Sequence, residues 1–514
     1  MSLARDITTV GGGTLMSRLL AYARDAWIAA LLGAGPYSET LFAVLQVVNF
    51  FRRLLSEGAL NSAFVPIWTK LRSGENGMAG ADRFTWRVLL TTFCVAGSIA
   101  LLTAFFGRHV IAGIAPGFDD TQQFFAAFLL FVTAPYILFA ALIAVIAAAL
   151  SAEGRVGAVA IITVLFNLTL LLALMLLPNE PLEHNQITFW IALAVTTAGI
   201  VQLLAAAIGW LGTRNRWQRP RSSVRGQAGV FFRRALPGLI ATSIPQLKLI
   251  AATAIVSASP AAVSWLYYAN RLYELPLGVA SITVAAVIVP RIADSVHSRN
   301  ERRFASAQSR AFEIAIGLAL PAATGIALLA APIARGLFER GAFGTEDTAA
   351  VAAALVAICA GLPGHVIEKV FGAVSFAHED TRTPMLAALA GLAAAILGGV
   401  LLFPRFGYVG VAAAIAVSGW VGTGVLGTLL FRRRWLRIDA DARRRLPRIC
   451  LATIAMAAVV SYTNHVIGAG GESSAARLVI PAALVTIGAA VYFAALRLLG
   501  VITLKELAVL QRKS

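Results

Sequence analysis

The sequence predicts an all-α polytopic membrane protein with about 14 transmembrane helices. Three observations predict it. The 514 residues are 59% hydrophobic and 13% charged, whereas an ordinary soluble domain carries about 25% charged residues. Apolar runs long enough to cross the hydrocarbon, about 20 residues each, recur along the whole chain. Most of the 43 Lys and Arg fall in the short connections on one side of those runs, as expected where basic loops set orientation in a membrane. With the N-terminus inside, an even number of spans places both termini in the cytoplasm.

The runs lie near 8–32, 38–62, 86–106, 123–150, 157–177, 187–211, 235–256, 263–289, 310–333, 348–371, 383–403, 408–431, 449–467 and 477–499. Residues 64–75 read as a short interfacial helix after the second run. The basic stretch 212–234 divides the chain into a first lobe, 1–211, and a second, 235–431, followed by a terminal helix pair in 432–514 that opens on a second basic stretch, 432–448. Both stretches are topology signals on solvated loops, with binding of anionic lipid heads as the alternative. The formal net charge of +18 would suggest nucleic acid in a soluble protein. Here it belongs to membrane loops, and no nucleic-acid motif accompanies it. The N-terminus has no removable leader, because Arg18 and Arg24 interrupt the first run. Cys94, Cys359 and Cys450 sit in or beside apolar runs and are expected as buried small hydrophobes, with no disulfide framework.

The functional signal is charge where lipid forbids it. Ser17, Arg18, Ala21, Arg24 and Asp25 share one face of the first span, and Asn49, Arg52, Arg53, Ser56 and Glu57 share one face of the second. An ionised side chain at the bilayer centre costs about 2.5 to 3.5 kcal/mol on insertion scales, so both stripes should face an interior cavity. Four arginines against two acids leave positive charge over. The competing reading is a structural set of Arg–carboxylate pairs between helices. The second lobe echoes the pattern with Tyr267, Asn270, Arg271 and Glu274 on one face, then Val289-Pro290 where the first lobe has Val65-Pro66. Two homologous bundles around a central site are a common transporter plan. Guanidinium groups grip phosphate and pyrophosphate through forked hydrogen bonds, so the expected cargo is an anionic, phosphorylated amphiphile.

Other chemistry is thin. No GxxxxGK[ST] loop is present for nucleotide hydrolysis, and the six histidines show no metal-ligand spacing. His365, Glu368 and Lys369 form either a proton or ion relay or an internal charge pair, and Lys248 is either a cavity lysine or a snorkelling one. No catalytic arrangement is recognisable, so the chain reads as a non-enzyme, without cofactor, driven by an ion gradient or the membrane potential.

At SRLLAYARDAWIAALLGAG, NFFRRLLSEGALNSAFVPIW, APGFDDT, TAPY, VSWLYYANRLYELPLGV and EDTRTP, in order from residue 17 to residue 384, the chain resembles the MurJ (MviN) lipid II flippase family of the multidrug/oligosaccharidyl-lipid/polysaccharide exporter superfamily. The resemblance implies two pseudo-symmetric six-helix lobes in a V plus two C-terminal helices, in the inner membrane of a bacterium. It implies alternating-access transport of undecaprenyl-pyrophosphoryl-MurNAc-pentapeptide-GlcNAc for peptidoglycan synthesis, with cell-wall synthesis machinery as a possible partner. The alternative within the superfamily is export of another lipid-linked oligosaccharide or of a small molecule. Carried over by position, Arg18, Arg24, Arg52 and Arg271, with Ser17 and Asn49, are substrate-binding, and Asp25, Glu39, Arg53, Glu57 and Glu274 support the cavity or its gating. Two positions depart from the family: Glu39 and Asn270 each stand where Asp is usual. The complete sodium-site pattern is not present.

The orientation is directly testable. Single cysteines placed in 212–234 or 432–448 should stay unlabelled by a membrane-impermeant thiol reagent applied from outside, while cysteines in 178–186 or 466–476 react. Outside labelling of 212–234 in intact cells would overturn the arrangement.

Overall fold

A computed structural model describes residues 3–56, 59–74, 77–178, 182–212, 227–284, 288–297, 300–467 and 474–501. Among them there is no strand. The helices are α1 (Leu3–Leu32), α2 (Pro36–Ser56), α3 (Ala59–Arg72), α4 (Gly77–Phe105), α5 (Gly107–Ile114), α6 (Asp120–Thr133), α7 (Pro135–Ala152), α8 (Val156–Met175), α9 (His184–Leu211), α10 (Gln227–Val256), α11 (Ala262–Thr283), α12 (Val289–His297), α13 (Glu301–Leu328), α14 (Ala330–Phe338), α15 (Thr345–Cys359), α16 (Leu362–Ala377), α17 (Arg382–Arg432), α18 (Ala440–Ile467) and α19 (Ser474–Leu498).

The order contains an internal repeat. Two long helices, a short helix that contains a Val-Pro pair, a long helix, a helix of two to three turns, a broken pair and two further spans run through α1–α9 and again through α10–α17. The broken pairs, α6–α7 and α15–α16, each form one 33-residue apolar segment. Pro135 interrupts the first and Pro363 the second, because proline lacks the N–H an uninterrupted helix needs. Each pair starts at a carboxylate cap. Asp119 Oδ1 accepts from Gln122 N at 2.7 Å, and Asp347 Oδ2 accepts from Gly344 N at 3.0 Å.

Nine described helical segments are long and apolar enough to cross a membrane, and the chain is a multi-pass membrane protein. One of them is α17, whose 51 residues would reach about 76 Å, far beyond a hydrocarbon core of about 30 Å. It breaks at Gly407 (φ 55°, ψ −143°), three residues after Pro404, giving the two spans expected at 383–403 and 408–431. The remaining expected spans coincide with α10, whose Ser243–Val256 part is apolar, and with α1, α2 and α11, which fall short of that apolar standard. Polar residues account for the shortfall in α1, α2 and α11, and these are the helices that carry the charged stripes.

By packing, the chain divides into two compact units, Met1–Ser264 and Trp265–Ser514. This division and the division by repeat differ by α10, which packs on α2 and α3 in the first unit. Of the basic stretch 212–234, residues 213–226 lie outside the described residues.

In the first unit, Phe64 and Trp68 of α3 are fully buried against Phe84 of α4 and Phe231 of α10. The expected interfacial helix at 64–75 therefore starts earlier, at Ala59, and sends one face into the core. Gly117, between α5 and α6, lies so close to the chain at Ser257–Ala258 that a Cβ would sit 2.3 Å from the Ala258 nitrogen. Gly117 N donates to Ser257 Oγ at 3.0 Å, which fixes the APGFDDT turn.

In the second unit, α16 and α17 cross closely. A Cβ on Gly361 would come 2.5 Å from Ala416 Cα, Trp420 Nε1 donates to the Ala360 carbonyl, and Thr423 Oγ1 donates to that of Gly364. Small residues and interhelical hydrogen bonds are the usual means of joining helices in lipid. The terminal pair α18–α19 packs on α13 and α14 around Ile449, Met456, Leu484 and Tyr492, with Tyr492 Oη donating to Gly317 O at 2.7 Å.

The stretch 432–448 is not simply a solvated loop. It becomes helical at Ala440, and Arg437 takes both oxygens of Glu301 at 2.8 and 3.1 Å, Arg445 reaches Glu313 at 3.3 Å, and Arg433 pairs with Asp380. Partial burial acts to raise the Asp380 pKa. Hydrogen bonds from the Thr383 hydroxyl and the Thr383 and Arg382 amides, together with the Arg433 charge, outweigh it and hold the carboxyl below its usual range. Arginine in this stretch thus clips the terminal pair to the second unit. Of the cysteines, Cys359 is buried, whereas Cys94 and Cys450 are exposed on outward faces of α4 and α18; a thiol is apolar enough to face lipid as readily as core.

Candidate functional site

In the first unit the charged stripe of α1 meets α8. Asp25 is wholly buried and Arg24 is 7% exposed. Arg24 donates to Asp25 Oδ1 from Nε at 2.9 Å and from Nη2 at 2.6 Å, and from Nη1 to Asn167 Oδ1 at 2.9 Å. The Asn167 amide in turn donates to the carbonyl and hydroxyl oxygens of Ser17, at 3.0 and 3.1 Å. Ser17, Arg24, Asp25 and Asn167 are therefore one knot. A guanidinium has five N–H donors, so these three contacts leave Arg24 two for a ligand.

One residue along α8, the Phe166 ring lies under the Arg52 guanidinium, 5.4 Å from centroid to Cζ, a cation–π placement. Arg52 also donates from Nε and Nη2 to Asn49 Oδ1, at 3.3 and 3.1 Å. Tyr136 packs on Phe166 and donates to Gln202 Oε1, whose amide reaches the Ile162 carbonyl at 2.7 Å. Arg18 is half-buried on the same helix as Arg24, with no acidic partner among the described residues. Arg53 is half-buried. Glu57 lies outside the described residues.

At the start of α2, Glu39 is 3% exposed. Its Oε1 accepts from Val263 N at 3.2 Å, in the first turn of α11, and Ser38 Oγ meets Ser264 Oγ at 2.9 Å. Glu39 thus supplies a carboxylate cap to α11 from another helix, answering amides that the first turn leaves unpaired.

In the second unit, Arg271 reaches Glu274 Oε2 at 3.3 Å and Asn270 donates to Glu274 Oε1 at 3.4 Å, both half-exposed. Asn270 acts as a neutral donor to Glu274. Tyr273 turns to another side, where its hydroxyl meets His365 Nδ1 at 2.8 Å. His365 and Glu368 lie directly over Gly419 and Gly422 of α17, where any Cβ would come within 2.6 to 2.8 Å of them. Lys248 is buried at 8% exposure, and Lys369 is exposed.

The structure thus gathers Ser17, Arg24, Asp25, Asn49 and Arg52 around residues 166–167 of α8, and Asn270, Arg271 and Glu274 in the second unit. Asn167, Phe166, Tyr136 and Gln202 are the neighbours that the sequence reading missed. Asn167 and Gln202 had a signal: each is a lone amide inside an apolar run. Phe166 and Tyr136 had none.

The family model for the lipid II flippase MurJ matches residues 28–480. The chain belongs to the MurJ lipid II flippase family. A probable lipid II flippase MurJ of Rhizobium meliloti (strain 1021) is 37% identical over 469 residues, covering 90% of this chain and 86% of the relative. One from Rhizobium tropici is 33% identical over 509 residues, covering 97% and 95%. Among solved structures, a lipid II flippase MurJ in an inward closed conformation superposes with a TM-score of 0.78 at 22% identity, covering 95% of this chain and 97% of that one. An inward-facing multidrug MATE transporter of the MOP superfamily superposes at 0.67 with 17% identity, covering 82% and 94%. MurJ proteins are transporters and not enzymes, and the fold is that of the MOP superfamily.

The knot around Asn167 yields a prediction. Asn167→Ala removes the amide shared by Arg24 and Ser17 and should cost about 1 to 3 kcal/mol, the range for stranding a buried polar group. Asn49→Ala, at a half-exposed site, should cost less. Thermal unfolding of the purified variants measures both; an unchanged midpoint for Asn167→Ala would show that the knot does not contribute to stability.

Proposed function

We propose that this chain translocates lipid II, undecaprenyl-pyrophosphoryl-MurNAc-pentapeptide-GlcNAc, from the inner to the outer leaflet of the bacterial cytoplasmic membrane by alternating access, with both termini in the cytoplasm. The observation that supports the reading is that Arg24 of α1 and Arg52 of α2 meet the adjacent residues Asn167 and Phe166 of α8, with Arg18 on the same α1 stripe as Arg24, in a chain of the MurJ family. A pyrophosphate needs several forked donors that keep their charge when water is removed. Arg52, held by Asn49 and Phe166, presents such a group. Arg18 supplies a charge without an internal acid. Arg24 is pre-set by Asp25 and Asn167, so its remaining donors are held in one direction. Arg271, steadied by Glu274, is the candidate phosphate-binding arginine within the second unit.

The Glu39–Val263 and Ser38–Ser264 contacts tie the first turn of α11 to the start of α2. Their loss would free the N-terminus of α11, the helix that carries Arg271. No nucleotide-binding loop is present in the sequence, so the driving force is an ion gradient, the membrane potential or both. Cell-wall synthesis enzymes that use lipid II at the outer face are the natural partners.

Depleting the protein in cells and identifying the lipid-linked precursor that accumulates tests the cargo. Lipid II is expected, and accumulation of a different lipid-linked saccharide would replace this reading. Complementation by variants tests the site. Arg18→Ala and Arg52→Ala should leave abundance near normal and abolish growth support, and Lys should not fully restore either. Arg24→Ala should also lower abundance, because it removes two N–H donors from the buried Asp25 carboxylate. Normal lipid II affinity in the Arg18 and Arg52 variants would move these residues from the cargo site to the scaffold.

A further inference from the structure

Between α12 and the first turns of α13, within the second unit, lies a cavity of about 500 Å³. It is lined by Arg291, Asp294, Arg302, Arg303 and Arg310, and by an apolar wall that includes Ile288, Ala311 and Ile314. Arg310 is engaged by Glu313 at 2.9 Å, and Glu313 is also reached by Arg445. Glu301, the other acid at this end of α13, is held in a two-oxygen pair by Arg437. Arg291, Arg302 and Arg303 have no ionic partner among the described residues and are exposed. Three unpaired arginines thus face one aspartate around a single hollow.

The neighbourhood says what kind of anion fits. α12 is a short amphipathic helix directly after a membrane span: Ile288 and Ile292 are buried beneath it, and Arg291 and Asp294 point outward. Such helices lie along the membrane surface. A ligand filling the hollow would set its charge against guanidinium groups at one side and its carbon skeleton against Ile288, Ala311 and Ile314 at the other. Free phosphate would leave that apolar wall bare. A disaccharide-pentapeptide head group is far too bulky for 500 Å³, a volume that suits a small-molecule head.

We propose that the α12–α13 cavity is a binding site for the phosphate of an anionic glycerophospholipid in the leaflet it borders. The lipid phosphate bridges Arg291, Arg302 and Arg303, and the glycerol end of the acyl chains lies on the isoleucine wall. This site lies apart from Arg271 and does not depend on what the chain transports. It would fix α12 to the membrane surface at the end of α11.

The test uses the full-length chain without cargo, incorporated into phosphatidylcholine nanodiscs with and without phosphatidylglycerol, with retained phosphatidylglycerol counted by native mass spectrometry. Each arginine that holds the lipid phosphate contributes roughly a fivefold change in affinity for anionic lipid, so the double variant Arg302→Gln/Arg303→Gln should bind about twenty-five-fold more weakly. The charge-keeping pair Arg302→Lys/Arg303→Lys should retain most of the binding. The charge-matched control Arg443→Gln/Arg444→Gln, on exposed positions of α18, should bind like the parent chain. Inorganic phosphate should not displace the lipid. Three results would each overturn the proposal: full retention in the double Gln variant, an equal loss in the control, or displacement by inorganic phosphate.

Discussion

A charge inside a membrane must be answered by the protein itself, and that constraint organises this molecule. Arg24 and Asp25 are both buried, and each would be costly alone. They are tolerable because Asp25 accepts two N–H groups of Arg24 and Asn167 accepts a third while tying the group to Ser17. The knot joins α1 to α8 and fixes the direction of Arg24's remaining donors. Arg52, one position along α8 at Phe166, is steadied by a neutral amide and an aromatic face. The site therefore combines an arginine set rigidly by a carboxylate with a second, Arg52, steadied by an amide and an aromatic ring.

The same constraint shapes the rest of the chain. Helices without charge cross close together on glycine, as at Gly361 and Gly364. Where polar groups sit deep, the opposing helix is hollowed to receive them, as with His365 and Glu368 over Gly419 and Gly422. At the membrane edge, arginines that would suit a solvated loop instead pair with Glu301, Glu313 and Asp380 and hold the terminal helices in place.

Much of this was legible in the sequence, because lipid enforces long apolar helices and makes every interior charge conspicuous. The spans, the two charged stripes and the Val-Pro echo between halves all follow from spacing. What spacing left hidden was partnership. Nothing local says that Asn167, some 140 residues away, completes the Arg24 site, or that Glu39 caps α11 across the fold, because such contacts depend on which helices become neighbours. The reading of 64–75 gave a short helix but not its neighbours, for a related reason: amphipathicity shows that one face is apolar, but not whether lipid or core covers it. The basic stretch at 432–448 misled in the opposite sense, since charge density alone does not distinguish a solvated loop from a lattice of ion pairs.

The central claim is that polar stripes in the spans carry a lipid-linked pyrophosphate across the bilayer without nucleotide hydrolysis. Its most direct measurement uses sealed vesicles containing the purified chain, with lipid II initially in one leaflet and an imposed ion gradient or membrane potential. The appearance of the disaccharide-pentapeptide head group on the far side is then followed over time. The account predicts transfer that requires the protein and the gradient or potential, needs no ATP, and is lost in Arg52→Ala. Transfer at the protein-free rate under every gradient, or transfer only with ATP hydrolysis, would contradict it.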